Sequence, residues 1–297
     1  MKVLITGATG FIGSHLVKFL LSKGIKIVIV KHPDDNSLIP KDVTAFTFDY
    51  NSKNDIDFMK NQNIDAVIHL ASLFLSSHTS NDIKPLIETN IFFSTYTLEC
   101  SVKSDIKCFL NTGTFWQHYQ NAEYSPANLY AATKEAFQVL AQYYIQTNQI
   151  HFNTLKLSDT YGPDDTRPKI LNLFEKISRT GEQLDMSPGE QIIDISYIDD
   201  IVAAYYRLLL LLRDQKTENG AAFAVKAKER YTLKELALKY EEVTGKKLNI
   251  KWGGRPYRER EIMIPWENGI SVPGWEPLVS IHDGIRKTRK LNTKSTN

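Results

Sequence analysis

The first thirteen residues constrain the fold more than any other stretch of the chain. Residues 1–6 form a short apolar run, and glycines follow it at positions 7, 10 and 13. Apolar residues then recur at helical spacing, and residues 25–30 form a second apolar run. A strand, a glycine turn, a helix and a second strand make one βαβ unit, in which both strands are parallel and buried. We therefore expect a parallel sheet with helices packed on it.

The same alternation continues through the first half of the chain. Further strands are predicted at 43–48, 66–70, 107–111 and 152–157, and helices at 56–61, 83–101 and 129–146. This alternation indicates an α/β fold with a doubly wound parallel sheet, the Rossmann arrangement. We expect residues 1–161 to form a dinucleotide-binding domain.

After Gly162 and Pro163 the pattern becomes irregular. Helices are predicted at 169–178, 197–213, 232–243 and 280–290, among glycine and proline turns and isolated strands. We interpret residues 162–297 as mainly a smaller, mixed α/β lobe that binds substrate, with some segments returning to the Rossmann core.

Composition narrows the class of protein. The chain has 297 residues, 42% of them hydrophobic and 24% charged, and its 36 Lys and Arg nearly balance its 34 Asp and Glu. This balance argues against nucleic acid or an anionic membrane as a partner. The apolar run at 208–212 is far shorter than the roughly 20 residues that a membrane span needs, and residues 1–6 leave no room for a signal peptide. Cys100 and Cys108 have neither metal-ligand nor disulfide spacing, so we expect a cytoplasmic chain without a bound metal.

The glycine turn also predicts a ligand. Without side chains, Gly7, Gly10 and Gly13 let the backbone turn tightly and approach a pyrophosphate, and the following helix N-terminus offers N–H groups to its phosphates. We therefore expect a nicotinamide dinucleotide here. The other residues expected to line the turn are Thr9, Phe11 and Ile12.

The second predicted strand is followed by a cation, where an NAD site has an acid that holds the ribose hydroxyls. Lys31 and His32 occupy this place, and a cation suits the 2′-phosphate of NADP(H) better. NADP(H) is therefore favoured over NAD(H). Asp34 and Asp35 lie just beyond, and either restores a preference for NAD(H) if the loop folds back.

The third predicted strand is followed by two further candidate cofactor contacts, Asp49 and Tyr50. Asp49 is placed to accept a hydrogen bond from the adenine amine. The alternative is that Asp49 caps the next helix, as Asp often does at helix N-termini.

Tyr130 and Lys134 lie four residues apart on a predicted helix and so share one face. A nearby ammonium group favours phenolate, which lowers the pKa of a tyrosine from about 10 toward neutrality. Such a tyrosine can pass a proton to or from a sugar oxygen or a carbonyl. The spacing occurs by chance in many proteins, so its meaning depends on the other motifs.

Those motifs form a set. They are Thr-Gly-Ala-Thr-Gly-Phe-Ile-Gly at 6–13, His-Leu-Ala at 69–71, Tyr-Gly-Pro at 161–163, Tyr-Ile-Asp-Asp at 197–200 and Pro-Gly-Trp at 273–275. With Asn90 and the Tyr130 to Lys134 pair, the set resembles the extended short-chain dehydrogenase/reductases, and within them the NAD(P)-dependent sugar-nucleotide epimerases, dehydratases and reductases. The resemblance covers about residues 1–290. It implies a sugar-nucleotide substrate, a homodimer and further cofactor contacts at Leu70, Ala71, Ser72 and Asn90.

The resemblance also implies the catalytic residues. Matching the Phe-Trp pair at 115–116 to the Val-Tyr of the family's Ser-Thr-x-x-Val-Tyr-Gly segment places Thr112 in the catalytic position, and a shifted match chooses Thr114. The hydroxyl would hydrogen-bond the substrate carbonyl and orient it toward Tyr130. Lys134 would bind the hydroxyls of the nicotinamide ribose and, together with the cationic oxidised ring, lower the Tyr130 pKa.

The segment after this threonine departs from the family pattern. Trp116, Gln117 and His118 would form a bulky wall of the sugar pocket. The segment resembles the reductases that make CDP-linked dideoxyhexoses such as abequose or paratose. For His118, a loop histidine without a catalytic role is the alternative.

Three residues farther along are expected to face the sugar nucleotide. Asp159 stands where many relatives have Asn, so an amide contact to the diphosphate is not expected there. Arg255 and Arg258 lie where the family often uses an arginine on the diphosphate, and solvated surface positions are the alternative.

Together these residues predict a reductase. NADPH would reduce the C4 keto group of a nucleotide-diphosphate 4-keto-6-deoxy hexose, which includes a 3,6-dideoxy hexose, for deoxysugar and O-antigen-type polysaccharide biosynthesis. Gly113 and Thr114 replace the Asp-Glu pair of the 4,6-dehydratases, which disfavours dehydration. The alternatives are an NAD-retaining sugar-nucleotide 4-epimerase and a non-catalytic dinucleotide-binding scaffold or redox sensor.

Overall fold

Strands and helices alternate along the computed structural model, which describes the backbone of residues 1–294 and the side chains of residues 1–289. The strands are β1 (Lys2–Thr6), β2 (Lys26–Val30), β3 (Val43–Phe46), β4 (Ala66–His69), β5 (Cys108–Thr114), β6 (His151–Leu157), β7 (Asp159–Tyr161), β8 (Leu184–Met186), β9 (Ile192–Tyr197), β10 (Ala222–Val225), β11 (Arg230–Thr232), β12 (Ile250–Trp252) and β13 (Ile270–Ser271). The α-helices are α1 (Phe11–Ser22), α2 (Ser52–Gln62), α3 (Ile83–Ile87), α4 (Ser94–Lys103), α5 (Leu129–Gln146), α6 (Ile170–Thr180), α7 (Ile198–Arg213), α8 (Leu233–Thr244) and α9 (Ile281–Lys294).

An eight-stranded sheet lies at the centre, in the order β13-β10-β6-β5-β4-β1-β2-β3. Its strand pairs are all parallel. The chain starts in the middle at β1, winds outward to β3, and then returns to build the other half from β4 onward. This confirms the doubly wound α/β fold that the alternation predicts.

The predicted elements of the first half are all present, with shifted ends. The third strand stops at Phe46, and the second helix starts four residues earlier than the apolar pattern indicated. The long helix predicted at 83–101 is α3 and α4, joined by a π-helical segment at Glu88–Phe93. A π-helical segment widens one turn of a helix, and such segments often occur at functional sites.

Side chains of the central strands alternate between two helical layers. Leu110 of β5 belongs to the apolar cluster that α1 and α7 build, together with Leu208. The preceding residue, Phe109, belongs to the cluster on the opposite face and packs on Phe137 of α5, with ring centroids 6.3 Å apart. Complete burial of each such side chain stabilises the fold by about 1.5–3 kcal/mol.

The second half of the chain supplies both a separate layer and part of the central sheet. The separate strands form a β11-β9-β7 sheet and a β12-β8 pair, while β10 and β13 lie at the edge of the central sheet. The division into a domain at 1–161 and a lobe at 162–297 stays a prediction, and residues 295–297 of that lobe lie outside the described residues. Among the described residues, no helix is both long and apolar enough to cross a membrane.

Asp200, in the first turn of α7, fastens the segment that leads into the C-terminal helix. Its two carboxylate oxygens accept hydrogen bonds from the backbone N–H groups of Leu278, at 3.1 Å, and Val279, at 3.0 Å. The side chain is buried, and this burial raises the pKa of Asp200. The Tyr-Ile-Asp-Asp motif thus has a structural role at its last position.

We expect Asp200→Ala to lower the free energy of unfolding by about 2 kcal/mol, because two partly buried backbone donors lose a charged acceptor. Urea denaturation measures the change. The matched control is Asp199→Ala, whose side chain is exposed and whose loss should cost less than about 0.5 kcal/mol. Equal effects of the two substitutions would contradict the assignment.

Candidate active site

The carboxyl ends of the central strands open onto one edge of the sheet, because all of these strands are parallel. Thr6 ends β1, His69 ends β4 and Thr114 ends β5. In open α/β sheets this edge, at the point where the winding reverses, is where ligands bind. Most of the predicted site residues follow these strand ends.

The glycine turn after β1 is shaped by close backbone contacts. Gly7 has φ +68°, and a Cβ placed on it would lie 2.6 Å from the Ala71 backbone nitrogen. A Cβ on Gly13 would lie 2.1 Å from the Gly7 carbonyl oxygen. A Cβ on Gly10 would meet nothing closer than that oxygen, at 3.4 Å. Packing therefore requires Gly7 and Gly13, whereas Gly10 leaves the helix N-terminus open to a phosphate group.

The loop after β4 lies directly behind the glycine turn. Its backbone is held by Thr6, whose carbonyl accepts from the Leu70 N–H and whose hydroxyl accepts from the Ala71 N–H, both at 3.2 Å. The same hydroxyl hydrogen-bonds His69 at 2.8 Å, and the other ring nitrogen of His69 meets the Ser94 hydroxyl at 2.8 Å. Burial lowers the pKa of His69 well below its usual range, so the imidazole is neutral and structural.

Two asparagines fasten this loop to α5. Asn90, in the π-helical segment, accepts hydrogen bonds from Leu73 N and the Ser72 hydroxyl and donates to Leu73 O and the Thr133 hydroxyl. Asn128 caps α5 by accepting from Ala131 N at 2.9 Å, and its amide also donates to Leu75 O and Ser76 O. The start of α5 is therefore held in a defined position against the glycine turn. The cofactor contacts of Leu70, Ala71, Ser72 and Asn90 stay predictions.

Tyr130, in the first turn of α5, is in an environment that keeps its phenol protonated. Burial raises the pKa of Tyr130 to about 12, a hydrogen bond between Tyr130 and the Ser72 side chain lowers it, and the charge of Asp159 raises it further. Lys134 is not among the groups that change it. The expected lowering of the Tyr130 pKa toward neutrality is therefore wrong for these surroundings. Spacing along a helix indicates a shared face, but desolvation decides the sign here.

Lys134 carries its ammonium group into the protein interior. The residue is 1% exposed, and its Nζ has no hydrogen-bond partner among the described residues. Burial lowers its pKa to about 8. A buried, unpaired ammonium group is costly and needs an acceptor. Ribose hydroxyls supply such acceptors, and with the open Gly10 turn this fits a nicotinamide dinucleotide.

Thr112, near the end of β5, is held by a residue that sequence reasoning missed. Its hydroxyl shares a hydrogen bond of 2.7 Å with the phenol of Tyr205. Tyr205 lies on α7 and is fully buried, and burial raises its pKa, so it stays protonated. When the Tyr205 phenol is the donor in this bond, the Thr112 hydroxyl keeps its own proton to donate to a ligand.

Two aromatic side chains, those of Phe74 and Trp116, lie beside Tyr130. Phe74 packs edge-to-face on Tyr130, with ring centroids 5.0 Å apart, and contacts Trp116 at 5.4 Å. The Nζ of Lys169 lies 4.1 Å from the centre of the Phe74 ring and 2.8 Å from a carboxylate oxygen of Asp159. The structure thus brings Trp116 and Asp159 together with the proposed proton donor. Phe74 and Lys169 complete this group, and sequence reasoning missed both.

Thr114 and Gln117, two further predicted residues of the 114–118 segment, form local hydrogen bonds. The Thr114 hydroxyl accepts from Trp116 N at 3.2 Å. The buried Gln117 accepts from Thr114 N at 2.8 Å and donates to Glu135. These bonds fold the segment into a tight turn. Substrate contacts of Thr114 and Gln117 stay predictions.

His118 is buried and stacks on Trp266, with ring centroids 3.9 Å apart. Its Nδ1 lies 3.0 Å from Ala122 O, and its Nε2 lies 2.7 Å from the ammonium group of Lys156. Burial and this ammonium group lower the pKa of His118, so the ring is neutral, donates at Nδ1 and accepts at Nε2. Both ring nitrogens are occupied within the protein, which favours the alternative of a structural histidine. The substrate-binding role stays a prediction.

The loop after β2 brings an acid and a cation to the same place. The Lys31 ammonium group donates to Ser37 O at 3.0 Å. Hydrogen bonds from the side chains of Ser37 and Thr9 lower the pKa of Asp35 to about 2, and the Ser37 backbone N–H, at 2.8 Å, adds to this effect. The loop therefore folds back toward the glycine turn, as the alternative role of Asp35 requires. His32 is exposed beside them.

The remaining predicted residues are Asp49, Tyr50, Arg255 and Arg258. Asp49 accepts from Asn51 N at 2.7 Å and from the Asn54 amide at 3.0 Å. The alternative of a helix cap is wrong, because Asn51 is the N-cap residue of α2, and the adenine contact of Asp49 stays a prediction. Tyr50 has φ +58° and is half-exposed. Arg255 follows β12, and its backbone N–H donates to Met186 O of β8. Arg258 is exposed.

Three residues were missed because the sequence pattern around them is ordinary. Tyr205 lies inside an apolar helix, where an aromatic residue indicates core packing. Phe74 and Lys169 lie in connecting segments 95 residues apart along the chain. A lysine next to a proline, as at Pro168, is typical of a solvated helix start. No local sequence pattern indicates that these three residues lie at the site.

Known proteins share both the sequence pattern and the fold. The chain belongs to the NAD dependent epimerase/dehydratase family, which it matches over residues 3–222. It is 28% identical over 294 residues to the CDP-abequose synthase of Salmonella muenchen, with 96% of each chain covered. It is 25% identical over 300 residues to the CDP-abequose synthase of Salmonella typhimurium, with 97% of each chain covered. The UDP-glucose 4-epimerase of Thermus thermophilus, solved in complex with NAD, superposes with a TM-score of 0.81 at 21% identity, covering 99% of each chain.

The family and the fold predicted from the sequence are thereby confirmed. The protein is a Rossmann-fold enzyme of a family that acts on nucleotide sugars with a dinucleotide cofactor.

We expect Lys134→Met to stabilise the cofactor-free protein by about 2 kcal/mol at pH 7, because it replaces a buried, unpaired charge with an apolar side chain of similar length. The folded-state pKa of about 8 lies below the ordinary 10.5, so the native state is penalised below pH 8. The penalty is relieved as the pH rises from about 8 to 10.5, and the difference between the variant and the wild type should narrow over that interval.

Urea denaturation at several pH values measures this difference. Lys18→Met, at an exposed position of α1, is the control and should change stability by less than about 0.5 kcal/mol. A destabilised Lys134→Met protein would show that the ammonium group has a partner.

Proposed function

We propose that the protein uses NADPH to reduce the C4 keto group of a nucleotide-diphosphate 4-keto-6-deoxy hexose, which includes a 3,6-dideoxy hexose. The observation that carries this proposal is the protonated phenol of Tyr130, with a pKa of about 12, at the edge of the sheet where ligands bind. Reduction of a carbonyl group needs a proton donor at its oxygen. The CDP-abequose synthases at 25–28% identity over nearly the whole chain support the substrate class. The product would serve deoxysugar and polysaccharide biosynthesis in the cytoplasm.

Each residue of the site has one task in this reaction. When bound, the reduced nicotinamide supplies the hydride. Tyr130 transfers its proton to the carbonyl oxygen. Thr112, turned by Tyr205, donates a hydrogen bond to the same oxygen and so stabilises the negative charge that develops on it. Lys134 holds the ribose hydroxyls, and the Phe74 and Trp116 rings exclude water from one side.

An NAD-retaining 4-epimerase is the second candidate. The family name and the fold of the UDP-glucose 4-epimerase favour it. Epimerisation begins with removal of a proton from a sugar hydroxyl, so it needs Tyr130 as a base. A pKa of about 12 favours the protonated phenol, which can donate a proton but cannot accept one.

Turnover separates the two candidates and also tests the dinucleotide-binding scaffold. The protein would be incubated with NADPH and a panel of CDP-, dTDP-, GDP- and UDP-linked 4-keto-6-deoxy sugars, and absorbance of the reduced cofactor would be followed. Consumption equal to the product formed supports reduction. Interconversion of C4 epimers without cofactor consumption would replace the reductase with the epimerase. Tight NADPH binding without any turnover would favour the scaffold.

We expect Tyr130→Phe to lower kcat by about 10² to 10⁴, because the proton donor is lost while the ring remains. Steady-state kinetics on the best substrate of the panel measure the change. The matched control is Tyr124→Phe, an exposed tyrosine that should keep normal turnover. Near-normal turnover of Tyr130→Phe would show that another group delivers the proton.

The cofactor preference depends on two groups with opposite charge. The Lys31 ammonium group attracts a 2′-phosphate and supports NADPH. The ionised Asp35, close to Thr9, repels a 2′-phosphate and can accept from a ribose hydroxyl, which supports NADH as the second candidate.

We expect Lys31→Met to weaken NADPH binding about tenfold and NADH binding far less, since one charge-assisted contact to phosphate is worth about 1–2 kcal/mol. Cofactor fluorescence measures both dissociation constants. Asp35→Asn should strengthen NADPH binding, and Asp34→Asn, whose side chain is exposed, is its matched control. If the wild type binds NADH more tightly and Asp35→Asn loses that binding, NADH is the cofactor.

We also propose a homodimer through the helices at 83–101 and 129–146. Both carry exposed apolar side chains that a monomer would leave in water. These are Ile83, Ile87, Phe92, Val139, Leu140 and Tyr143.

A further inference from the structure

The ion pair between Asp159 and Lys169 lies beside the proton donor and has no task in the reaction described above. Asp159 begins β7, and Lys169 directly precedes α6. Their charged atoms are 2.8 Å apart, and their side chains are 32% and 22% exposed. Solvent therefore screens this pair less than it screens the fully exposed pairs of the surface.

Lys169 connects the pair to Tyr130 through an aromatic ring. Its ammonium group lies 4.1 Å from the centre of the Phe74 ring, a cation–π contact. Phe74 in turn packs edge-to-face on Tyr130. The contacts run without interruption from Asp159 through Lys169 and Phe74 to the phenol.

Asp159 also acts on Tyr130 through its charge. Ser72, which follows β4, and Asp159, at the start of β7, act on the phenol, and Tyr205 of α7 interacts with it. Lys134, one turn along α5, is not among the groups that change its ionisation. Tyr205 is protonated and uncharged, and Ser72 forms a hydrogen bond. Asp159 is the carboxylate that disfavours phenolate, which adds to the effect of burial.

We propose that Asp159 and Lys169 are a positioning pair for the proton donor: Lys169 holds Phe74 against Tyr130, and Asp159 keeps the proton on the Tyr130 phenol. An un-ionised phenol can donate a proton but cannot accept one, so opposing phenolate disfavours the abstraction of a proton by Tyr130, although it also makes the phenol a weaker acid. Lys169 limits the effect, because its positive charge offsets part of the field of Asp159. The inference rests on the proposed role of Tyr130.

The test reads the ionisation of Tyr130 directly, without substrate. The full chain would carry 3,5-difluorotyrosine at position 130, whose phenol ionises at a lower pH, so that the titration falls where the protein is folded. Fluorine NMR would follow this single label against pH. The backgrounds are the wild type, Asp159→Asn, Lys169→Met and the double variant.

The midpoint of this titration is the pH at which half of the label at position 130 is ionised. The two single variants should move the midpoint in opposite directions. Asp159→Asn removes the carboxylate and frees the ammonium group, so the midpoint should fall by about one unit, a tenfold change in acid strength. Lys169→Met leaves the carboxylate unopposed, so the midpoint should rise. The double variant should lie between the two. Lys169→Arg keeps both the charge and the ring contact and should restore the wild-type value.

The control is an exposed ion pair of the same type. Lys176 and Glu182 lie 3.0 Å apart near the end of α6, with side chains about 60% exposed, and Lys176→Met should leave the midpoint unchanged. Circular dichroism and dinucleotide binding confirm that each variant is folded.

A kinetic readout follows the same variants once a substrate is known. In Asp159→Asn, the alkaline limb of the kcat profile for reduction should move about one unit toward neutrality. A variant that was merely destabilised would lower activity at every pH and leave the limb where it is.

Two results would overturn the proposal. One is an unchanged midpoint in Asp159→Asn, and the other is a shift of the same sign in Asp159→Asn and Lys169→Met. Failure of the proposed function looks different. If no keto sugar is reduced but the midpoints move as described, the substrate assignment is wrong and the positioning pair stands.

Discussion

The attachment of the loop after β4 to both the glycine turn and α5 is the constraint on which the site depends. On one side, Thr6 holds the loop backbone with its carbonyl and its hydroxyl. On the other, Asn90 and Asn128 bind the same loop to the start of α5. Because the strands are parallel, their carboxyl ends already share an edge, and these bonds bring the first turn of α5 to it. The position of Tyr130 relative to the cofactor turn is thus determined mainly by hydrogen bonds that side chains form with this loop and with the start of α5.

The site that results is not the most stable arrangement of its side chains. It buries the ammonium group of Lys134 without a partner among the described residues and surrounds the Tyr130 phenol with protein. Buried charge is retained where a bound ligand needs it, although an apolar side chain would stabilise the fold more. The same desolvation raises the Tyr130 pKa and lowers the Lys134 pKa. One physical cause, desolvation, therefore keeps the Tyr130 phenol protonated and makes the Lys134 ammonium group costly until a ligand supplies an acceptor.

Sequence reasoning could name candidate residues of this site where the chemistry is local. The glycine turn, the Thr112 segment and the Tyr130 to Lys134 pair could be found because each depends on residues within a single turn or strand end. It failed on the Tyr130 pKa, because spacing on a helix indicates which residues share a face but not how far each is from water. It also missed Tyr205, which reaches Thr112 from 93 residues away.

By itself, the sequence determined the fold class and the family. Apolar runs separated by helical stretches specify a parallel sheet, and glycines at fixed spacing specify a turn that can approach a phosphate, since both depend on short-range periodicity and backbone sterics. Only the tertiary structure decided that Asp35 folds back to Thr9. The same holds for the hydrogen bonds that the two ring nitrogens of His118 form with Ala122 and Lys156. It holds also for the ion pair of Asp159 and Lys169 beside Tyr130. Those arrangements depend on burial and on contacts between distant segments, and no local pattern encodes them.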